Sequence, residues 1–135
     1  MPILIGLLRL PKMSLNFKVR EKVARIISNH FTGREIIGVF TGENILPFDI
    51  VSKTKYEMVL AGFNEAGSQQ AILGAIEAFC HPINFSDAET RTKFIEELNQ
   101  MLQYDYLDIV ATTRSAKIVD LNDETTRKSF EENIR

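Results

Sequence analysis

The chain has 135 residues, 44% of them hydrophobic and 25% charged, with a formal net charge of −2 and a single cysteine, Cys80. That length supports one domain with a buried core and no need of disulfide staples, and the balance excludes a disordered or fibrous chain. The slight acidity argues against a dedicated nucleic-acid binder, whose affinity comes mostly from neutralising phosphates. A lone cysteine allows neither an internal disulfide nor a thiolate cluster, which points to a reducing cytoplasm.

Residues 1–12 read Met-Pro-Ile-Leu-Ile-Gly-Leu-Leu-Arg-Leu-Pro-Lys. They lack a basic start and a small-residue cleavage site, so no signal peptide is expected. The apolar run is also far short of the roughly 20 residues needed to span a bilayer. Met13-Ser-Leu-Asn-Phe reads as an ordinary start, and residues 1–14 are expected to be an extension or a short strand docked on the body.

A first helix is predicted from Leu15 or Asn16 to His30, with Leu15, Val19, Val23, Ile26 and Ile27 on one stripe. Thr32-Gly-Arg-Glu35 is a capping box, in which hydroxyl and carboxylate satisfy exposed amides reciprocally. It opens a second helix carrying Ile36, Ile37 and Phe40, which stops at Thr41-Gly-Glu-Asn44. After an apolar connector over 45–51, Asp49 or Ser52 is expected to cap a third helix lined by Tyr56, Val59, Leu60 and Phe63. Ser68 caps a fourth, in which Ile72, Ala75, Ile76 and Phe79 recur at helical spacing, and Pro82 closes it.

Ser86-Asp-Ala-Glu89 reads as another capping box, opening a fifth helix that buries Phe94, Ile95, Leu98, Met101 and Leu102. Near Asp105 the hydrophobic period changes from helical to alternating. Tyr106–Val110 and Ala116–Leu121 then bracket Ala-Thr-Thr-Arg-Ser, a hairpin pattern. Two strands alone are marginal, so the hairpin must pack on the helices or pair with another strand, for which 1–12 is a candidate. Asn122 can cap a polar terminal helix anchored by Phe130 and Ile134. The expected fold is therefore mainly α with a small β-hairpin, an α+β bundle of about five or six helices. Residues 15–121 form its single domain, and 122–135 a terminal helix or linker.

Several constellations invite chemical readings. Arg25-Ile-Ile-Ser-Asn-His30 fits the Arg-x4-His spacing of the helical nucleases called HEPN, yet the five-residue offset sets the two side chains about 140° apart on a helix. Ile26 also stands where those families place a polar residue. His81 beside Cys80 offers too few ligands for zinc, which takes three or four from the protein. Neither a Gly-x-Ser-x-Gly elbow nor a phosphate-binding loop occurs. Glu96 and Glu97 read as a solvated face. A winged-helix arrangement of the fifth helix and hairpin would use Arg91, Lys93, Arg114 and Lys117 as phosphate contacts, against repulsion from Glu89, Glu96 and Glu97.

Ala78-Phe-Cys-His-Pro-Ile-Asn-Phe85, Phe94-Ile-Glu-Glu-Leu-Asn-Gln-Met-Leu102, the Tyr-Asp-Tyr-Leu hairpin entry and Lys117-Ile-Val119 carry a resemblance. Residues 15–121 resemble N-terminal accessory modules of bacterial abortive-infection proteins of the AbiJ type and related prokaryotic conflict-system proteins. The resemblance implies a sensing or adaptor role in anti-phage defence, with effector activity elsewhere and no site residues carried over.

The expected function is a non-catalytic protein-interaction module without metal or cofactor, acting on another protein or an effector domain in the cytoplasm. A homodimer fits an exposed hairpin edge. Nucleic acid is disfavoured as a partner, and no membrane association is expected. The alternatives are a winged-helix-like nucleic-acid binder and a degenerate HEPN-like RNase using Arg25 and His30.

Overall fold

A computed structural model describes residues 13–45 and 53–122. Among them are five α-helices: α1 (Phe17–His30), α2 (Gly33–Gly42), α3 (Lys55–Ala66), α4 (Gln69–Phe79) and α5 (Ala88–Leu102). They are followed by an antiparallel hairpin, β1 (Leu107–Ala111) and β2 (Ala116–Asp120). The mainly helical architecture with one small β element is the one expected. The expectations for 1–12, for the 45–51 connector beyond Ile45 and for the terminal helix beyond Asn122 lie outside the described residues.

The helix starts follow from local chemistry. The Asn16 side chain accepts the Lys18 amide at 2.8 Å to open α1. At α2 the box forms as predicted, with Glu35 N–H on the Thr32 hydroxyl at 3.2 Å and Thr32 N–H on the Glu35 carboxylate at 2.8 Å. The cap of α3 corrects the expected Asp49 or Ser52: Thr54 holds the position and forms a second reciprocal box with Glu57. A box satisfies two orphan amides where a lone cap satisfies one, so the Thr-x-x-Glu register wins. The Thr54 amide hydrogen bond also holds the Glu57 carboxyl below its usual range.

Gly67, in the left-handed region at φ 80°, ends α3, and Ser68 at once caps α4 through the Ala71 amide at 3.1 Å. The predicted box at Ser86–Glu89 does not form, and the cap lies one residue further on. Asp87 is the cap, accepting Thr90 N–H at 2.7 Å, while the Ser86 hydroxyl only donates to Asp87. A carboxylate is the stronger acceptor at the positive end of a helix, and the Thr90 amide accordingly lowers its pKa.

Helix α1 packs between α3 and α5, and α2 leans on α3 and α4. The hairpin spans the bundle, β1 against α5 and β2 against α4. Phe31, just past α1, meets Phe79, Phe85 and Phe94 edge-on at centroid distances of 5.2, 5.7 and 5.3 Å. Such pairs each contribute about 0.5–1.5 kcal/mol beyond area burial. Phe40 joins this cluster to Phe63. Gly62 lets α3 come that close, since a Cβ there would lie 2.3 Å from the Phe40 ring. Cys80 is fully buried within the same core. Ile26, Leu60 and Met101, expected inside, are only half-buried at its margin.

Strand β1 begins at Leu107 and not at Tyr106, whose left-handed φ of 60° turns the chain out of the preceding 3-10 turn. Leu107, Ile109 and Ile118 face the core as the alternation predicts. No helix among the described residues is long and apolar enough to cross a membrane.

Candidate functional site

Three side chains fasten the hairpin to the bundle. Arg91 lies on the inner face of α5, three and four residues before buried Phe94 and Ile95, and is 9% exposed. Its Nε donates to the Cys80 carbonyl at 2.7 Å, Nη1 to Thr112 at 2.6 Å and Nη2 to Ser115 at 2.9 Å. The carbonyl at the α4 terminus carries the negative end of the helix dipole, so the buried cation is compensated without a carboxylate. Arg91, expected at the surface as a phosphate contact, is thus an internal tie between α4 and the hairpin turn.

Asn99 and Glu77 occupy the outer edges of the strands. Ile109 N–H donates to the Asn99 side-chain oxygen at 2.7 Å, and the Asn99 amide donates back to the Ile109 carbonyl at 3.2 Å. Ile118 N–H donates to Glu77 Oε2 at 2.7 Å. Ile109 and Ile118 sit opposite each other in the ladder. The central outward-facing donor on each edge is therefore already satisfied, which blunts the pairing tendency of a short hairpin.

This fastening completes an open groove of about 650 Å³ between α2 and α4. Its floor consists of small residues, Gly38 and Gly42 on α2 with Gly74 and Ala78 on α4. Glu35, Glu43 and Glu77 stand along it, and His81 and Ile83 lie at the end nearest the hairpin. Among the described residues no lysine or arginine lines it. Glu35 is held by its capping box and Glu77 by Ile118, whereas the Glu43 carboxylate makes no hydrogen bond or ion pair among the described residues. Ile83, held out on a 3-10 turn over Pro82–Asn84, is 83% exposed. The turn is fixed by His81 Nδ1, which accepts Ile83 N–H, and by Asn84, which donates to the α4 carbonyls of Ala78 and Phe79. Such a surface attracts positive charge and hydrogen-bond donors.

The other expected site residues are dispersed. The Arg25 guanidinium lies 3.7 Å above the Tyr56 ring on α3. His30 instead meets Glu97 on α5 at 2.8 Å, with its ring edge-on to Phe94. The two therefore engage different helices and not a common point. Lys93 pairs with Glu89 at 3.5 Å along α5, while Arg114 and Lys117 are exposed on the hairpin. Among the described residues no three or more His, Cys, Asp or Glu side chains come together as a metal site. Burial pushes the Cys80 thiol up to about 12, and nearby Arg91 offsets this only in part.

Glu43, Glu77 and Asn99 were not singled out from the sequence. The four-residue spacing of Gly38 with Gly42, and of Gly74 with Ala78, was the available signal for a surface with little side-chain cover. Comparison of the chain with protein-family models, with curated proteins and with solved structures finds no match.

Proposed function

We propose that the protein is a non-catalytic interaction module whose α2–α4 groove receives a basic segment of another protein. The observation that carries this reading is the pairing of three carboxylates, unopposed by any lining cation among the described residues, with a small-residue floor that lets a partner backbone approach closely. Exposed Ile83 supplies an apolar anchor at the rim. Absence of catalysis is supported by the structural commitments of Glu35, Glu77, Arg91 and His81, each engaged in fastening the fold. The resemblance of residues 15–121 to abortive-infection accessory modules supports a partner among the effectors of anti-phage defence, within the cytoplasm.

Binding of an amphipathic Lys/Arg-rich peptide, measured by calorimetry, tests the reading. Affinity should fall several-fold with Glu43→Lys and with Ile83→Asp, and weaken with added salt. Equal affinity for all three proteins, or preference for an acidic peptide of the same length, would remove the groove from consideration.

A further inference from the structure

The first turn of α1 meets the α3–α4 junction around a small cleft of about 340 Å³. Phe63 and Ile72, both buried, line its inner side. The rest of the lining is polar apart from Gly67: Arg20 comes from α1, Asn64 from the last turn of α3, and Ser68 and Gln69 from the place where α4 begins. Among the described residues no carboxylate lines it. The cleft shares no residue with the acidic α2–α4 groove, so nothing said of that groove bears on it.

Arg20 is the member of this set that calls for a reason. Its Nε is buried and has no hydrogen-bond partner, the one side-chain atom so placed among the described residues. Its guanidinium forms no ion pair among them either. Arg91 shows how the same chain treats an arginine that serves the fold, with Nε, Nη1 and Nη2 each on a backbone carbonyl. Native folds rarely orphan a buried N–H, and they pair the charges they desolvate. Arg20 is half-buried and reaches the cleft with its unpaired charge. An anion there is attracted more strongly than by a fully solvated cation, because less water screens the pair.

The other polar side chains have donors to spare. Ser68 Oγ accepts the Ala71 amide at 3.1 Å, which leaves its own O–H to donate. Gln69 Oε1 accepts Leu15 N–H at 2.9 Å, which holds the side chain and leaves Nε2 with no acceptor among the described residues. The Asn64 side chain makes no hydrogen bond among them. Donors supplied by three separate segments suit an anion whose oxygens point in several directions, whereas a planar carboxylate is satisfied by one guanidinium fork. We propose that this cleft binds a phosphate group, held by the Arg20 guanidinium and by hydrogen bonds from Ser68, Gln69 and Asn64. The phosphate belongs to the free ion or to a small phosphomonoester, for whose remainder Gly67 leaves the rim uncovered.

Broadening of the phosphorus NMR line of inorganic phosphate by the full chain, at fixed ionic strength, reads this binding directly. The parent should broaden the line, and sulfate but not acetate should reverse it. Arg20→Gln should abolish the broadening, and Arg20→Lys should restore only a fraction, since an ammonium cannot present a fork. Asn64→Asp sets a carboxylate on an exposed part of the rim and should abolish it too. That variant decides the matter if Arg20→Gln fails to fold. Phenyl phosphate that displaces inorganic phosphate at lower concentration assigns the cleft to a phosphomonoester, and the reverse order assigns it to the free ion; both support the proposal. No broadening by the parent overturns it, as does broadening that survives Arg20→Gln or Asn64→Asp. Reversal by acetate, or an equal loss with Arg114→Gln on the distant hairpin turn, overturns it as well, for either would show only general charge attraction.

Discussion

Asn99 stands in for a third strand opposite Ile109, accepting its N–H at 2.7 Å and donating to its carbonyl at 3.2 Å. One side-chain amide reproduces both bonds that a neighbouring backbone would make, and it does so from a helix packed across the sheet. Asn99→Ala removes both and leaves a part-buried donor and acceptor, at a cost of about 1–3 kcal/mol in a denaturant titration. Asn99→Asp keeps the acceptor and loses the donor, so its loss should be smaller. Size-exclusion chromatography should show the alanine variant associating more readily, because the β1 edge is then open.

Arg91 predicts a sharper result. Arg91→Lys keeps the charge but can meet only one of three carbonyls arranged for a planar fork, so it should rescue little of the loss caused by Arg91→Ala. Charge-assisted hydrogen bonds are worth about 1.5–3 kcal/mol each, and both variants should lose at least that much stability. The readout that separates this tie from general destabilisation is amide exchange. Protection at Ser115 and in β2 should fall before protection in α1 does.

Asp108 lies on β1 with little exposure, and desolvation raises its pKa, opposed in part by a hydrogen bond from Gln103. The folded state then holds the proton more tightly than the unfolded state. Ionised Asp108 therefore costs stability at neutral pH, and that cost is relieved as pH falls through the raised folded-state value towards the ordinary 3.8. Asp108→Asn should melt higher than the parent at neutral pH, with the gap closing below 3.8; equal melting at every pH would contradict the assignment.

Cys80 should behave as an inert thiol. With its pKa pushed up to about 12 and its side chain fully buried, almost no thiolate is present at neutral pH. Reaction with an aromatic disulfide reagent should be far slower than for a free thiol and should accelerate in step with unfolding by denaturant. Rapid labelling of the native protein would show the site to be open.

Gly62 faces the Phe40 ring at a distance no side chain can share. Gly62→Ala should destabilise by about 1–3 kcal/mol through overpacking, although alanine is the better helix former. A partner substitution, Phe40→Leu, should recover part of that loss in the double variant.

The helix starts at Asn16, Thr32 and Ser68 were legible in the sequence because a cap is a contact within two or three residues, so its partners are adjacent in the text. The same holds for the hairpin, where a change of period at Asp105 marks the change of element. Thr54 and Asp87 were missed by a few residues for a related reason. Several side chains near each start can accept an amide, and their competition is resolved only when the backbone direction is known. Arg91 was legible in principle, since it falls on the stripe of Phe94, Ile95 and Leu98, yet its charge assigned it to the solvent face.

By itself, then, the amino-acid order determined a helical body, its punctuation and its terminal hairpin, each a matter of short-range hydrogen bonding and apolar period. Tertiary structure alone decided that Arg91 spans from Cys80 to Ser115, that Glu77 reaches Ile118 and that Gly38 and Gly74 floor one groove. Whether a polar side chain is solvated or buried depends on which distant segment packs over it, and local propensity carries no information about that partner.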